Sequence, residues 1–328
     1  MENVGITGGC GLIGSHVVKK FLHRGYNVEV LDDMSAYPFD QTEYFGLKYL
    51  TNLKITEGSI CNKELVNKFV EDKKYIIHMA SLADVGACIR DPETNFNTDV
   101  IGSFNLLRAS KKANVKKFIF SSSASVYGNP KRRMGEPPQV KENNVLGPTT
   151  PYANTKLFFE TELKLATELY DFPTTSLRYF SVYGIPQIPK KDSFSWMIPI
   201  FTMKLLKNKP ITIFWDGTQI RDMVEVRDIA EATVRSCFEP KTNGQIINIG
   251  NEIPTTINKI KDMIFECAGK EVPFEYKPGT KGDPMGCYSD ASLMKKLLNW
   301  KPEIKLEEGI KEYVEWATKN QHLIPDFI

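Results

Sequence analysis

The sequence predicts an α/β fold, in which a doubly wound parallel sheet is followed by a smaller, irregular α+β C-terminal domain. As far as about residue 180, short apolar runs alternate with longer amphipathic stretches, a pattern typical of β-α-β units in a parallel sheet. Beyond that point the alternation gives way to proline-rich loops and separate helices. We therefore expect one domain over residues 1–178 and a second over 179–328, with some segments of the second returning to the first.

The individual strands and helices follow from the period of the apolar residues. Strands are predicted at 4–7, 27–32, 53–56, 75–79, 117–122 and 174–180. Helices are predicted at about 11–24, 62–71, 93–113 and 152–170, and further along the chain near 194–207, 226–237, 256–268 and 305–319. Pro92 and Pro151 stand where two of these helices begin, a position that suits proline because the first helical turn needs no N–H at that residue.

Composition and charge exclude several classes of protein. The 328 residues are 41% hydrophobic and 25% charged, the balance of a globular protein with a substantial core. A formal charge of +2 is too small to indicate a nucleic-acid or membrane partner. No apolar run approaches the ~20 residues that cross a bilayer. We therefore expect no nucleic acid and no membrane among the partners.

The cysteines and histidines show no metal-ligand spacing. The six cysteines include no C-x-x-C pair and the four histidines are scattered, which favours reduced thiols over a disulfide framework or a zinc site. The N-terminus runs directly into the first predicted strand and leaves no room for a signal peptide. These features predict a cytoplasmic protein without a bound metal.

The first predicted strand runs into TGGCGLIGSH, where Gly8, Gly11 and Gly14 are spaced G-x-x-G-x-x-G at a strand-to-helix turn. Such a turn lets a pyrophosphate approach the backbone and accept hydrogen bonds from the start of the helix. The next strand ends in Asp32 and Asp33, eighteen residues after Gly14. A carboxylate there can accept from a ribose 2′-OH and would repel a 2′-phosphate. The pattern predicts a Rossmann dinucleotide site that favours NAD over NADP.

A second motif, PYANTK, places Tyr152 four residues before Lys156 at the start of a predicted helix. A phenol with a pKa near 10 is only about a thousandth ionised at neutral pH. An ammonium one helical turn away and a cationic nicotinamide would both lower that pKa. Tyr152 could then act as the general base for an alcohol whose hydride leaves to NAD⁺. Ser123, at the end of the strand in FIFSSSASVYG, could hold the same substrate oxygen.

The same Tyr-x-x-x-Lys spacing occurs at Tyr44–Lys48 and Tyr127–Lys131. We expect the first pair in a polar loop after the second strand. The sequence GNP separates the second pair, so its members cannot share a regular helical turn. For Ser123 considered alone, a serine that merely caps the next turn remains an equal alternative.

Together these motifs resemble the extended short-chain dehydrogenase/reductase family, in particular its NAD-dependent nucleotide-sugar epimerases like UDP-galactose 4-epimerase. The resemblance covers nearly the whole chain and rests on TGGCGLIG, VLDDMS, IIHMASLADV, NFNTDVIGSFNLL, FIFSSSASVYG, PYANTK, LRYFSVYG and WDGTQIRDMVEVRDIAEA. It implies a nucleotide-diphosphate sugar substrate held by the second domain. It also implies transient oxidation at sugar C4, with the same hydride returned from the regenerated cofactor to the opposite face.

The resemblance further implies roles for individual residues. Tyr152 would be the base, Lys156 would bind the nicotinamide ribose and tune Tyr152, and Ser123 would hold the reacting hydroxyl. NAD would contact Gly8, Gly11, Leu12, Ile13, Gly14, Asp32, Asp33, Ser59, Ile60, Met79, Ala80, Ser81, Thr98, Tyr152, Lys156 and Phe180. The substrate would contact Ser123, Ser181, Arg221 and Lys281. Two antiparallel helices, near 93–113 and 152–170, would form the four-helix interface of a homodimer.

One position separates the activities found in this family. Sugar 4,6-dehydratases and uronate decarboxylases place acidic residues just after the serine or threonine, where this chain has Ala124 and Ser125. Neither is an acid or base near neutral pH, so the epimerase is favoured. A 4-dehydrogenase or keto-reductase that uses NAD(H) as co-substrate remains the alternative. A non-catalytic NAD sensor is disfavoured because Tyr152 and Lys156 are both present.

The chain departs from the usual family pattern at several positions. Ser59 stands in place of an adenine-contact aspartate, Asp99 in place of a helix asparagine, and Ser181 in place of an amide that faces a phosphate. Thr280 occupies the place of an arginine, for which Lys281 or Lys277 could substitute without bidentate phosphate geometry. The basic run 131–133 is expected to be solvated surface. The alternative is contact with an extra negative group on the substrate, such as a uronate or a second phosphate.

Overall fold

The computed structural model describes residues 1–131, 136–191, 193, 196–279 and 285–328. Its largest element is a seven-stranded sheet with the strand order β11-β7-β5-β4-β1-β2-β3. Every neighbouring pair in this sheet is parallel. The strands are β1 (Asn3–Thr7), β2 (Asn27–Asp32), β3 (Leu53–Glu57), β4 (Tyr75–His78), β5 (Lys117–Ser123), β7 (Thr174–Tyr179) and β11 (Gln245–Ile249). The order reverses between β1 and β4, so this is a doubly wound sheet whose ligand crevice is expected at that point.

Helices cover both faces of the sheet because its strands are apolar on both sides. The helices of this region are α1 (Leu12–His23), α2 (Gln41–Tyr44), α3 (Lys63–Val70), α4 (Val85–Arg90), α5 (Pro92–Phe96), α6 (Ser103–Lys112), α7 (Pro151–Tyr170), α9 (Val226–Phe238) and α11 (Ser292–Leu298). Val28 and Val30 of β2 belong to one buried core, which α1 and α9 also line. Leu31 of the same strand belongs to the core beneath α3, α6 and α7. The result is a three-layer α/β/α unit.

The remaining elements form a smaller α+β unit. Its strands are β6 (Gln139–Val140), β8 (Ser181–Tyr183), β9 (Ile211–Phe214), β10 (Ile220–Glu225), β12 (Pro254–Thr256), β13 (Phe274–Lys277) and β14 (Tyr288–Ser289). Strand β10 pairs in parallel with β8 and antiparallel with β12, whereas β9 pairs with β13 and β6 with β14. Helices α8 (Met197–Leu206), α10 (Ile257–Ala268) and α12 (Leu306–Lys319) enclose a separate apolar core.

The chain crosses between the two units more than once. Strand β11 and helix α9 follow residue 179 in sequence but belong to the large sheet and its covering layer. They are segments of the kind that we expected to return to the first domain. The division into 1–178 and 179–328 itself stays a prediction. In the described parts of the chain, no helix is both long and apolar enough to cross a membrane.

Three local differences from the sequence-based prediction bear on function. The predicted helix 93–113 contains a π-helical turn, Asn97–Gly102, between α5 and α6. Tyr44 ends the short helix α2, capped by Asp40, so the expectation of a polar loop there was wrong. Helix α4 is the next element after β4 and was not predicted, because six residues are too few for a clear amphipathic pattern.

Candidate active site

The glycine-rich turn between β1 and α1 requires glycine at two positions. Gly8 has a left-handed φ of 69°, and a Cβ atom on it would lie 2.6 Å from the backbone nitrogen of Ala80. A Cβ atom on Gly14 would lie 2.1 Å from the carbonyl oxygen of Gly8. Helix α1 begins after Gly11, which offers no side-chain cap to the first-turn N–H groups. These bare backbone groups, which include those of Leu12 and Ile13, fit a pyrophosphate.

The two acidic residues at the end of β2 have different surroundings. Asp32 is buried, and its carboxylate accepts from the N–H of Cys10 at 2.9 Å and from that of Met34 at 3.0 Å. Burial raises the pKa of Asp32, and these two N–H groups act against that rise. A carboxylate has about four lone-pair positions, so Asp32 can accept from ribose hydroxyls as well. Asp33 is exposed, and its carboxylate accepts a hydrogen bond from the N–H of Ser35. Asp32 therefore anchors the glycine turn and fits an NAD ribose.

The segments that follow β3 and β4 contain further residues predicted to contact the cofactor. The N–H groups of Met79 and Ala80 donate to the backbone oxygen and the hydroxyl of Thr7 at 3.0 and 3.2 Å. Ser59 accepts from the N–H of Cys61 at 3.1 Å. Ile60 packs against Gly102 in the π-helical turn, where a Cβ atom would lie 2.7 Å from its side chain. The structure thus brings the segments predicted to contact the cofactor to one edge of the sheet.

Ser123, Tyr152 and Lys156 converge at the carboxyl end of β5. Tyr152 lies in the first turn of α7, and the Ser123 hydroxyl is close enough to its phenol to lower the pKa of that phenol. Ser123 also accepts from the N–H of Ser125 at 3.1 Å. Lys156 is only 3% exposed, and its Nζ lies 5.5 Å from the centre of the Tyr152 ring. It donates to the carbonyl oxygen of Ser121 at 3.0 Å, which uses one of its three donors and leaves two for a ribose.

The pKa values of this pair are dominated by burial. Burial raises the pKa of Tyr152, the nearby carboxylate of Asp99 raises it further, and the Ser123 hydrogen bond lowers it. Burial lowers the pKa of Lys156, and Asp99 acts against that change. The expected lowering of the phenol pKa is therefore wrong for the chain by itself, because desolvation of the phenolate outweighs the favourable contacts. The prediction also included a cationic nicotinamide, and the charge of that group would lower the pKa of Tyr152.

Asp99 is a site residue that the sequence analysis noted only as a departure from the family. It lies in the π-helical turn next to Thr98, and its carboxylate accepts from the hydroxyl of Ser81 and from the N–H of Leu82. A π-helical turn inside an α-helix often marks a functional position. The aspartate in NFNTDVIG could be seen in the sequence. Its role could not, because its partners Ser81 and Leu82 lie in the loop after β4.

A buried ionic network supports the catalytic strand from behind. Arg178 of β7 forms a bidentate pair with Glu160 of α7, at 2.9 and 2.7 Å. Glu160 also accepts from the hydroxyl of Ser122 at 2.5 Å, and Arg178 donates to the Tyr127 hydroxyl at 2.9 Å. Tyr127 is thus part of a structural network. It ends the 3-10 turn Ala124–Tyr127, so it shares no helical turn with Lys131, as expected. Sequence reasoning missed this network because its members are far apart in the chain.

Two of the residues predicted to contact the substrate, Ser181 and Arg221, lie in the smaller unit. Ser181 begins β8 directly after Phe180, a predicted NAD contact that is buried just beyond the end of β7. Arg221 lies on the neighbouring strand β10, two residues before Met223, the register partner of Ser181. Arg221 donates to the carbonyl oxygen of Ile220 at 2.8 Å and lies beside Gly286. Thr280, Lys281, Arg132 and Arg133 lie outside the described residues. The roles of all these residues stay predictions.

Comparison with known proteins agrees with this architecture. A family model described as the NAD dependent epimerase/dehydratase family matches residues 4–250. A putative UDP-glucose 4-epimerase of Methanocaldococcus jannaschii is 34% identical over 96% of this chain and 98% of its own length. A UDP-glucuronate 4-epimerase of Thermodesulfobacterium geofontis is also 34% identical, over 97% of each chain.

A solved structure has the same fold over almost its full length. The UDP-glucose 4-epimerase of Thermotoga maritima, crystallised with UDP-glucose, superposes with a TM-score of 0.88 at 33% identity, over 97% of this chain and 99% of its own. The comparisons confirm the predicted fold class, the extended short-chain dehydrogenase/reductase resemblance, the NAD cofactor and the NAD-dependent nucleotide-sugar epimerase class. The chain belongs to the NAD-dependent epimerase/dehydratase family.

Proposed function

We propose that this chain is a UDP-sugar 4-epimerase that keeps its NAD through the reaction. The observation that carries the proposal is the convergence of Tyr152 and Ser123 at the carboxyl end of β5, with the buried ammonium of Lys156 beside the Tyr152 ring. This arrangement lies at the carboxyl end of a doubly wound sheet, beside a glycine turn that fits a pyrophosphate. Bound NAD⁺ supplies the acceptor for a hydride.

The protein side of the reaction is a proton transfer at one oxygen. In its phenolate form, Tyr152 accepts the proton of a sugar hydroxyl. The carbon that carries this hydroxyl loses a hydride at the same time, and the sugar becomes a ketone. The Ser123 hydroxyl donates to the same oxygen and stabilises the charge that develops on it. After the keto sugar presents its other face, hydride returns to the carbon and Tyr152 returns the proton to oxygen. Atoms and electrons balance over the cycle, so neither oxidant nor reductant is consumed.

The residues after Ser123 favour epimerisation over elimination. Ala124 and Ser125 form a single 3-10 turn, Ala124–Tyr127, against the end of β5. Loss of water or of CO₂ from the neighbouring carbons would need an acid or a base at this point. An alanine methyl group and a serine hydroxyl supply neither near neutral pH.

Support for a UDP-sugar comes from the relatives, whose names give UDP-glucose and UDP-glucuronate as substrates. The test is proton NMR on UDP-glucose, UDP-N-acetylglucosamine and UDP-glucuronate, with GDP and CDP sugars as controls. A new anomeric signal that grows far beyond the amount of NAD⁺ present would support the proposal and identify the sugar. Turnover only with stoichiometric NAD⁺, accompanied by reduced-nicotinamide absorbance, would show a dehydrogenase instead.

We further propose that the working form is a cytoplasmic homodimer joined through the 92–112 and 151–170 segments. Large apolar side chains on these two segments are exposed, although such residues usually seek burial: Phe96, Ile101, Phe104, Phe158, Leu165, Leu169 and Tyr170. Pairing both segments with those of a second copy would bury this stripe in a four-helix interface. The six cysteines are all free thiols, which supports a reducing compartment.

A further inference from the structure

The buried carboxylate of Asp99 lies beside the candidate catalytic pair. Asp99 is 3% exposed, and one of its oxygens accepts from the N–H of Leu82 at 3.0 Å. Its other oxygen accepts from the Ser81 hydroxyl and from the amide nitrogen of Asn95, both at 2.9 Å. Burial raises the pKa of Asp99, and the charge of Lys156 and the converging donors act against that rise because they favour the ionised form, which can only accept hydrogen bonds.

Asp99 also reaches helix α7 between the two catalytic candidates. The hydroxyl of Thr155 lies 3.5 Å from the carboxylate of Asp99 and donates to the carbonyl oxygen of Tyr152 at 2.9 Å. Thr155 is the residue before Lys156. The π-helical turn therefore places a negative charge against the segment that carries both the phenol and the ammonium.

The buried ammonium of Lys156 needs a negative partner, because an uncompensated charge is costly in a protein interior. Two carboxylates act on it, those of Asp99 and Glu160, and both raise its pKa against the effect of burial. Glu160 is already neutralised by its bidentate pair with Arg178. Asp99 is the other carboxylate, and its charge is the one available to Lys156.

We propose that Asp99 is a positioning residue of the active site: its buried carboxylate, held against α7 at Thr155, balances the charge of Lys156 without a direct ion pair and controls when Tyr152 becomes a base. With Lys156 positive, Asp99 negative and Tyr152 neutral, the cluster has no net charge. Ionising Tyr152 leaves one net negative charge in a buried site. The phenolate therefore forms readily only when a further cation enters, and oxidised nicotinamide is such a cation.

The other titratable groups that face the cluster do not change this balance. Cys88 of α4 has its pKa raised to about 12, first by burial and then by Asp99 and Asp84, so it stays a neutral thiol. His78 at the end of β4 has its pKa lowered to about 3, by burial and then by Lys156, so it stays neutral. Near neutral pH, the local charges are therefore those of Lys156, Asp99, the Glu160–Arg178 pair and Asp84, which caps helix α4.

The test is Asp99→Asn, which removes the charge and keeps the shape. The Asn95 side-chain oxygen is buried without a hydrogen-bond partner among the described residues, so a flip of the Asn95 amide lets it accept from the new amide at position 99. Removing the negative charge lowers the pKa of both Tyr152 and Lys156. We expect both limbs of the pH–rate profile to move to lower pH, by about one unit or more.

The pH–rate experiment rests on the proposed function, because it needs turnover of a nucleotide sugar. A second measurement needs no substrate and therefore tests Asp99 independently. Tyrosinate absorbance is titrated in the parent and in Asp99→Asn, each against a matched Tyr152→Phe background. The difference isolates Tyr152, which must ionise at lower pH in Asp99→Asn. If the parent turns over no nucleotide sugar, the proposed function fails, but this titration still tests Asp99.

The matched control is Asp228→Asn at the start of α9. Asp228 is also buried and accepts from two backbone N–H groups, those of Glu303 and Ile304. Its loss should reduce stability without moving the pH profile. If Asp99→Asn does not fold, Asp99→Ser removes the same charge with a smaller side chain and must give the same shift. A profile and a Tyr152 titration that both coincide with those of the parent would overturn the proposal.

Discussion

Glu160 and Arg178 form an ion pair in which each side chain is only 1% exposed. The pair links helix α7, which carries Tyr152 about two turns and Lys156 about one turn before Glu160, to strand β7. Its hydrogen bond to Ser122 fixes the residue next to Ser123. The relative position of the phenol and the serine hydroxyl therefore depends on a salt bridge behind them.

Breaking this pair should destabilise the protein strongly. Arg178→Met leaves the Glu160 carboxylate buried and unpaired, and we expect a loss of about 3–5 kcal/mol in the free energy of unfolding. Chemical denaturation monitored by circular dichroism measures it. The control is Lys164→Ala, which breaks the exposed Lys164–Glu168 pair on the same helix and should cost less than about 1 kcal/mol. Equal effects for the two variants would contradict a special role for the buried pair.

Removing the phenol should abolish the chemistry and spare the cofactor. We expect Tyr152→Phe to reduce kcat by about 10²–10⁴-fold, the range for loss of a general acid–base group. NAD content, measured after denaturation of the purified protein, should be unchanged because the glycine turn is intact. Tyr49→Phe, on a side chain that is 87% exposed, is the control and should behave as the parent. A Tyr152→Phe protein with parental kcat would remove Tyr152 from the mechanism.

The buried His78 should make the fold sensitive to acid. Its ring is hydrogen-bonded to Thr7 at 2.7 Å and to Ser103 at 2.8 Å, and burial lowers its pKa from 6.5 to about 3. The unfolded chain therefore binds a proton before the folded chain does. Stability is fully present above pH 6.5 and falls as the pH decreases toward 3. Denaturation across this range measures the free energy of unfolding of the parent and of His78→Gln. The difference between the two free energies should shrink as the pH falls. A difference that stays constant would contradict the lowered pKa of His78.

A charge on the exposed apolar stripe should dissociate the proposed dimer. Phe104 and Phe158 are 45% and 44% exposed on α6 and α7, respectively. Phe104→Glu and Phe158→Glu should each give a monomer by light scattering after size exclusion. Tyr276→Glu, at a side chain that is 50% exposed on β13, is the control and should leave the mass unchanged. A parent that is already monomeric at high concentration would rule out the interface.

The sequence predicted the large sheet well because its information is local. The six strands from β1 to β7 in the main sheet and the four long helices beside them show clear apolar periods, and each lies within three residues of its predicted position. The pair Tyr152–Lys156 and the glycine turn were also visible in the sequence, because the residues of each motif are only a few positions apart. The seventh strand, β11, was not predicted, since its place beside β7 depends on a crossover from the second unit.

The electrostatics of the site could not be predicted in the same way. The spacing of Tyr152 and Lys156 indicated a lowered phenol pKa, but burial and Asp99 raise it. Burial depends on the elements that pack against α7, among them α4 and α5, and Asp99 lies in a π-helical turn that interrupts the helix predicted over 93–113. The Glu160–Arg178 pair joins residues on two elements, and no sequence period connects them.

The central claim is that one hydride leaves C4 and returns to it within a single encounter. The most direct measurement uses a UDP-sugar deuterated at C4, in ordinary water, with the chain carrying NAD⁺ and no added cofactor. NMR of the product should show the deuterium still on C4 in the inverted configuration, with no lasting rise in reduced-nicotinamide absorbance. Product that carries hydrogen at C4, or reduced cofactor that accumulates in step with a keto sugar, would contradict the account.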